Sequence, residues 1–387
     1  MLIKHEMVRF EELGEVLTLN IAYFSPIPFD FLMQRPQYLA IELSKKHNVC
    51  FIEPTLSTIR WVSGRNRSPI YSNRVYNDTL NIISLNGLFA APWIINPYDF
   101  TGIGTAWERI QFKRFMPHVD IAWVGHCGWY PLVQRLKYRH LVYDKMDDNA
   151  LIARCKLRAN QLVKSDKKLL HKADCIFATS KYLFEDALNI NRNTFRIPNA
   201  VNSNFADFYV TNKEGTKKKV FGYIGMIDDW FDIDAILTIA RASESHEVIL
   251  VGPSNIPKIE HEQIKYVGRV PKEKLSELIK CFNVCLYPFK NNQLTKTINP
   301  VKIYEYLAMN KPILAIKSLE ITTFGDLINC YVNLEDLSRL SLTNQPLPFK
   351  TEEDMQNFVS ENSWERRGEQ VSRILEDLQT QIYKIFL

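Results

Sequence analysis

Short apolar runs alternate with amphipathic stretches along most of the chain. Asn20–Phe24 and Asn48–Ile52 read as strands. Between them Arg35–Lys46 reads as a helix, with Pro36 in its first turn. Further strands are predicted at Leu80–Ser84, Val119–Val124, His140–Tyr143, Asp174–Ala178 and Thr194–Ile197, and helices at Asn160–His171 and Tyr182–Ala187. Val, Ile, Leu, Phe and Cys dominate these strands without strict alternation, which suits a parallel sheet covered on both faces.

The texture then breaks. Tyr209–Lys219, YVTNKEGTKKK, is polar and charged and reads as a linker. A second series of the same kind follows it. Strands are predicted at Val220–Ile224, Glu247–Val251, Ile264–Val267, Asn283–Tyr287 and Pro312–Ile316. Helices are predicted at Asp232–Ala242, Lys272–Lys280 and Pro300–Ala308, and a long one near Trp364–Phe386. A chain of 387 residues is too long for one growing core. The pattern therefore predicts an α/β protein of two Rossmann-like, doubly wound domains, 1–207 and 208–387, facing each other across a cleft. The last helix is free to pack back on the first domain.

Composition adds the compartment. Hydrophobic residues make up 46% and charged residues 24%, as in ordinary folded proteins. The seven cysteines are scattered and odd in number, with no CxxC pair. Cys50, Cys175, Cys281 and Cys285 lie in apolar, strand-like runs and read as small core residues in a reducing compartment. The acids in the first twenty residues do not suit a signal peptide, and no apolar stretch is long enough to span a bilayer. A cytoplasmic protein is expected. Net charge is +5, and Thr101–Ala173 holds 14 Lys/Arg against 6 Asp/Glu. That surplus suits a solvated basic face or a weak peripheral contact with an anionic membrane on its inner side. Nucleic acid is not expected, since no binding motif accompanies the charge.

The chemistry is quiet. There is no GxxxxGK[ST] loop, GxSxG elbow or HExxH. VFGYIGMIDD after the first strand of the second series has only Gly222 and Gly225, which excludes the dinucleotide fingerprint. The informative segment is Asn299–Ile316, NPVKIYEYLAMNKPILAI. Pro300 fits a helix's first turn, whose free N–H groups attract anions. Lys302 in that turn is unfavourable beside the helix dipole unless an anion is present. Glu305, three residues on, shares its face. A carboxylate there can accept both hydroxyls of a ribose.

PVKIYEYLA followed by MNKP resembles the donor-binding motif of retaining, two-domain GT-B glycosyltransferases of the family-4 kind. It is most similar to the branch that includes teichuronic-acid and other cell-surface polysaccharide transferases. FLMQRPQY (31–38), LVYDKMDD (141–148), RIPNAV (196–201) and YVGRVPKEKL (266–275) resemble further segments of that family, in its order. The resemblance implies transfer of a sugar from a UDP- or GDP-linked donor to a saccharide or lipid-linked acceptor, with retention and without metal or other cofactor. Relatives grip the donor diphosphate with an Arg and a Lys after the first strand of the second domain. Here Met226 and Phe231 stand there, and Thr297 replaces a first Glu.

Phosphate charge then falls to Lys302, the Pro300 helix start, Arg35 and Arg269. With Glu305, Asn299 and Gly225 these form the expected donor-binding set. In the first domain Asp30, His126, Asp147 and Asp148 follow strands and are candidates to act on the acceptor; Lys302 is the catalytic candidate of the second. Two other readings stay open: a non-enzymatic scaffold or binding subunit of a polysaccharide assembly, and a nucleotide-sugar epimerase on the same fold.

Overall fold

The apolar runs of the N-terminal half become strands because both their faces find cover. A computed structural model describes residues 18–57, 72–87, 103–153, 155–202, 218–271 and 274–385. The N-terminal segment, the apolar stretch beyond Gly87, the start of the Lys272 helix and the polar break with its 207/208 boundary lie outside the described residues.

In chain order the first elements are β1 (Asn20–Phe24), α1 (Arg35–Ser44), β2 (Asn48–Ser57), β3 (Ser72–Asn77), β4 (Leu80–Gly87), α2 (Ile103–Phe115), β5 (Ile121–Val124), α3 (Tyr130–Val133), β6 (His140–Lys145), α4 (Asn149–Ile152), α5 (Lys156–Lys172), β7 (Cys175–Ala178), α6 (Lys181–Leu188) and β8 (Thr194–Arg196). One sheet holds these eight strands in the order β3-β4-β2-β1-β5-β6-β7-β8. β1 pairs in parallel with β2 and β5, β2 with β4, and β5 with β6. β3 runs antiparallel to β4 at the edge. Ile21–Phe24 and Ile121–Val124 are fully buried on both faces, which is why they show no alternation. Tyr23 stacks between Phe51 and Trp123, and Trp123 on Phe177, making one aromatic row across the sheet.

The second series gives β9 (Lys219–Ile224), α7 (Ile233–Ala242), β10 (His246–Val251), β11 (Ile264–Gly268), α8 (Leu275–Cys281), β12 (Val284–Tyr287), α9 (Gln293–Thr297), α10 (Val301–Ala308), β13 (Ile313–Ile316), β14 (Asn329–Tyr331), α11 (Leu334–Leu342), α12 (Glu352–Glu361) and α13 (Trp364–Ile385). Its sheet is parallel throughout, in the order β11-β10-β9-β12-β13-β14. Cys281, expected in the core, instead ends helix α8 and is exposed; Cys50, Cys175 and Cys285 are buried. Asn310 takes the left-handed conformation after α10, with φ of 52°. Asn tolerates this conformation better than most residues other than Gly. Its side chain also holds Phe349, accepting from that backbone N–H at 2.9 Å.

The chain divides into two compact units. The first comprises 1–177, 187–195 and 368–387; the second comprises 178–186 and 196–367. Within the first, α13 packs on α1 at Gly368, where a Cβ would meet the Glu42 Cβ at 2.5 Å.

Candidate active site

In the second unit all strands run one way, so their carboxyl ends share one edge, where loops are free to meet a ligand. Three of those ends are glycines. Gly225 donates to the Val251 carbonyl at 2.9 Å, and Gly252 to the Gly268 carbonyl at 2.8 Å. Gly252 has φ of +137°, and a Cβ there would lie 1.9 Å from the Gly225 oxygen. The edge is therefore bare backbone over β9, β10 and β11. Met226 beside it is exposed, whereas Phe231 is wholly buried, 4.8 Å from the Tyr223 ring. Neither supplies charge.

On the same edge stands the start of α10. Pro300 is its N-cap, one position earlier than expected, and no side chain caps the helix. Lys302 Nζ donates to Glu305 Oε2 at 2.6 Å. The Lys302 side chain is 29% exposed and that of Glu305 only 8%, so a carboxylate is held under a half-open ammonium. Among the described residues no donor reaches Glu305 Oε1. Arg269, just past β11, is exposed and has no side-chain partner among the described residues.

Asn299 does not join this set. It is 3% exposed, donates to Glu320 Oε1 at 2.5 Å and accepts from the Asn199 backbone N–H at 2.8 Å. Its amide is committed to fixing loops. Glu320, itself 2% exposed, also accepts from Arg196 and from the Lys181 backbone N–H. This buried carboxylate ties the segments at 181 and 196 into the second unit.

Arg35 is likewise redirected. It is 3% exposed, lies in the first unit, and holds the fully buried Asp144 through Nε at 3.0 Å and Nη2 at 2.8 Å. Its guanidinium is engaged by that carboxylate. Asp30 is exposed and pairs with Arg74 at 2.5 Å. Arg74 also reaches Glu53 at 3.0 Å, and Glu53 accepts from the Phe29 backbone N–H at 2.8 Å and from Ser84. Asp148 caps α4, accepting from the Ala150 and Leu151 N–H groups at 3.0 and 3.3 Å. Its carboxylate is a structural cap.

His126 caps the short turn Cys127–Trp129, its Nδ1 accepting from the Gly128 N–H at 3.0 Å. Burial, helped by Arg158, pushes its pKa down to about 3. The ring is neutral near pH 7, with Nε2–H as its donor. It can offer a hydrogen bond to a hydroxyl but has no proton to act as an acid. Asp147 is different. Half-buried after β6, it has its pKa pushed up to about 6 by burial, against the pull of Arg35 and with the push of Asp144 and Asp148. A carboxylate whose titration is moved toward neutrality is a candidate functional group.

Asp232 and Asp234 carry an Asp-x-Asp spacing. Asp232 caps α7, accepting from the Asp234 and Ala235 N–H groups. Among the described residues no cluster of three or more His, Cys, Asp or Glu side chains is placed to hold a metal ion.

No family model matches the chain, and no curated protein matches it in sequence. Solved structures match it over nearly its whole length. Sucrose-phosphate synthase from Thermosynechococcus elongatus is 13% identical, with a TM-score of 0.68 over 94% of this chain and 100% of that one. The UDP-forming α,α-trehalose-phosphate synthase from Burkholderia xenovorans, in complex with glucose-6-phosphate, is 12% identical, with a TM-score of 0.63 over 93% and 100%. HepE of Anabaena, in complex with UDP, is 11% identical, with a TM-score of 0.59 over 93% and 100%. The chain has the GT-B fold. At such identities the likeness is one of architecture, and function must be argued from the residues on the GT-B scaffold.

The sequence did not single out Asp144, Glu53, Glu320, Gly252 or Gly268. A signal existed for two of them: an acid inside an apolar strand, as in VCFIEPT and LVYDKM, requires a buried partner. Nothing in the loop around Glu320 announces it.

Proposed function

We propose that the chain transfers a sugar from a nucleotide-sugar donor to a saccharide or lipid-linked acceptor, using the donor-side division 208–387 and the acceptor-side division 1–207. The observation that carries this is the Lys302–Glu305 pair at an uncapped helix start, on the carboxyl edge of a parallel sheet. Glu305 Oε1 is available to a ribose hydroxyl. Negative charge grows on the leaving diphosphate, and Lys302, the first N–H groups of α10 and Arg269 stabilise it. The bare backbone at Gly225 lets phosphates approach closely. UDP is favoured over GDP, because HepE is in complex with UDP and the trehalose-phosphate synthase is UDP-forming. The transfer proceeds with retention, the leaving phosphate taking the acceptor proton, and without metal. On the acceptor side His126 offers its Nε2–H, and Asp147 and Asp30 hold hydroxyls.

The biological setting we propose is bacterial cell-surface polysaccharide synthesis, in the cytoplasm and at the inner face of the membrane. No helix of the described residues is long and apolar enough to cross a membrane. Exposed Leu151, Ile152 and Leu157 lie close in sequence to Lys156, Lys164, Lys167 and Lys168 on α4 and α5, which supports a peripheral contact with anionic lipid. A scaffold role is the second reading, favoured by Met226 standing exposed where relatives carry a phosphate-binding Arg.

The test is to incubate the full chain with UDP- and GDP-sugars and a panel of saccharide and lipid-linked acceptors, with and without EDTA. Acceptor-dependent nucleotide release that survives chelation is expected. Release of no nucleotide across the panel supports the scaffold; sugar inversion without acceptor supports an epimerase.

A further inference from the structure

A pocket of about 550 Å³ opens in the second unit, beside the segment that leads into α10. Such a volume is in the range of small-molecule sites. Tyr182 of α6, Asn291, Lys296 of α9, and Lys317, Ser318 and Leu319 just past β13 contribute to its walls. Several other lysines of this unit have partners: Lys302 has Glu305, Lys265 has Glu247, and Lys311 holds the Lys280 and Phe282 carbonyls. Lys296 and Lys317 are exposed and have no ion-pair partner among the described residues. Among the described residues no acid lines the pocket. The neighbouring carboxylate, Glu320, is buried and already bound by Arg196, Asn299 and the Lys181 N–H.

Two exposed ammonium groups lining one pocket favour an anionic ligand. The rest of the wall tells what kind of anion. The Tyr182 hydroxyl accepts from Gln293 Nε2 at 2.8 Å, which fixes the phenol and leaves its own proton to donate. Leu319 supplies an apolar surface beside it, and the Ser318 hydroxyl and Asn291 amide supply hydrogen-bonding groups. A ring face, hydroxyl partners and paired cations together suit a sugar that carries an acid.

We infer that this pocket binds an acidic saccharide, its carboxylate or phosphate between Lys296 and Lys317 and its ring against Tyr182 and Leu319. This site is separate from Lys302 and Glu305, so it does not depend on the donor reading.

The test is calorimetry on the full chain with glucose 6-phosphate, glucuronate, glucose and inorganic phosphate. The two acidic sugars are expected to bind at low salt, glucose to bind much more weakly, and added salt to weaken the acids. Lys296→Ala with Lys317→Ala should weaken acid-sugar binding by about tenfold or more. Lys302→Ala should leave it unchanged, and thermal melting should show all variants folded. A preference for glucuronate identifies the acid as a carboxylate, and one for glucose 6-phosphate as a phosphoryl group. The inference is overturned if acidic sugars bind no better than glucose, if the double variant binds as the parent does, or if Lys302→Ala abolishes binding. Inorganic phosphate binding as tightly as glucose 6-phosphate overturns the saccharide part.

Discussion

The two sheets present their carboxyl edges in opposite ways. In the first unit the charged groups near that edge are bound to one another: Arg35 to Asp144, Arg74 to Asp30 and Glu53, Lys145 to Asp166. They tie helices and strands of that unit, and the loop at Asp30, to one another. In the second unit the edge is glycine backbone, an uncapped helix, one half-open ion pair and Arg269, which has no side-chain partner among the described residues. Charge that is satisfied internally builds a surface, whereas charge left short of partners invites a ligand. The same residue types, Arg, Lys and Glu, therefore do different work in the two units, and composition alone does not separate them.

The comparison breaks most visibly at the buried pair. Arg35 is 3% exposed and Asp144 0%, so removing either partner strands a charge in the core. Asp144→Ala is expected to cost about 3–5 kcal/mol of folding stability, read from urea denaturation of the full chain. Asp144→Leu combined with Arg35→Met should cost far less, since no lone charge remains. If Asp144→Ala melts like the parent, the pair does not hold α1 to β6.

The corresponding pair of the second unit should respond in activity instead. Glu305→Gln keeps the shape but loses the charge that strengthens ribose bonds. A loss of about 2 kcal/mol in donor binding is expected, measured by nucleotide calorimetry. Lys302→Ala should act more on kcat, because leaving-group charge grows in the transition state. It also leaves an 8%-exposed carboxylate without its cation, so its melting temperature must be compared with that of Glu305→Gln. Parent-like kcat and donor affinity in both variants would place the donor site elsewhere.

How much of this was readable in advance follows from where the signal lies. Apolar runs such as Ile21–Phe24 and Ile121–Val124 are continuous because both faces are covered, so most of the strands showed in the sequence. β3 did not, because SNRVYN at an edge has exposed Val75 and Tyr76 and no buried face to mark it. Lys302 and Glu305 were readable because helix geometry alone brings residues three apart together. The engagements of Asn299 and Arg35 were not readable because their partners, Glu320 and Asp144, are 21 and 109 positions away. A side chain's function depends on which partners have already engaged it, and only the fold brings those together. The division of the chain at 177, 186, 195 and 367 is of the same kind. It depends on contacts such as those of Glu320 with Lys181 and Arg196, which the polar break after residue 208 does not announce.

The smallest expected effect concerns Asp147, the first-unit group that departs from the pattern of internal pairing. Its pKa is pushed up to about 6, first by burial, against about 4 in an unfolded chain. The sign follows from proton binding. Between about pH 4 and 6 the folded state holds the proton more tightly than the unfolded state. Asp147 therefore contributes stability that is full below about pH 4 and is lost as pH rises through about 6. Asp147→Asn cannot ionise, so its stability relative to the parent should increase as pH rises from 4 to 8. His126 contributes with the opposite sign: held neutral with a pKa near 3, it makes the protein less stable as pH falls below about 6.5. The two tendencies offset each other in the parent over pH 4–6. Urea denaturation of parent and Asp147→Asn at pH 4, 6 and 8 isolates the carboxylate, because His126 is common to both. A difference between them that stays constant across the three pH values would mean that Asp147 titrates as an ordinary surface carboxylate. It would then belong with the satisfied charges of its own unit, and the contrast between the two edges would be sharper still.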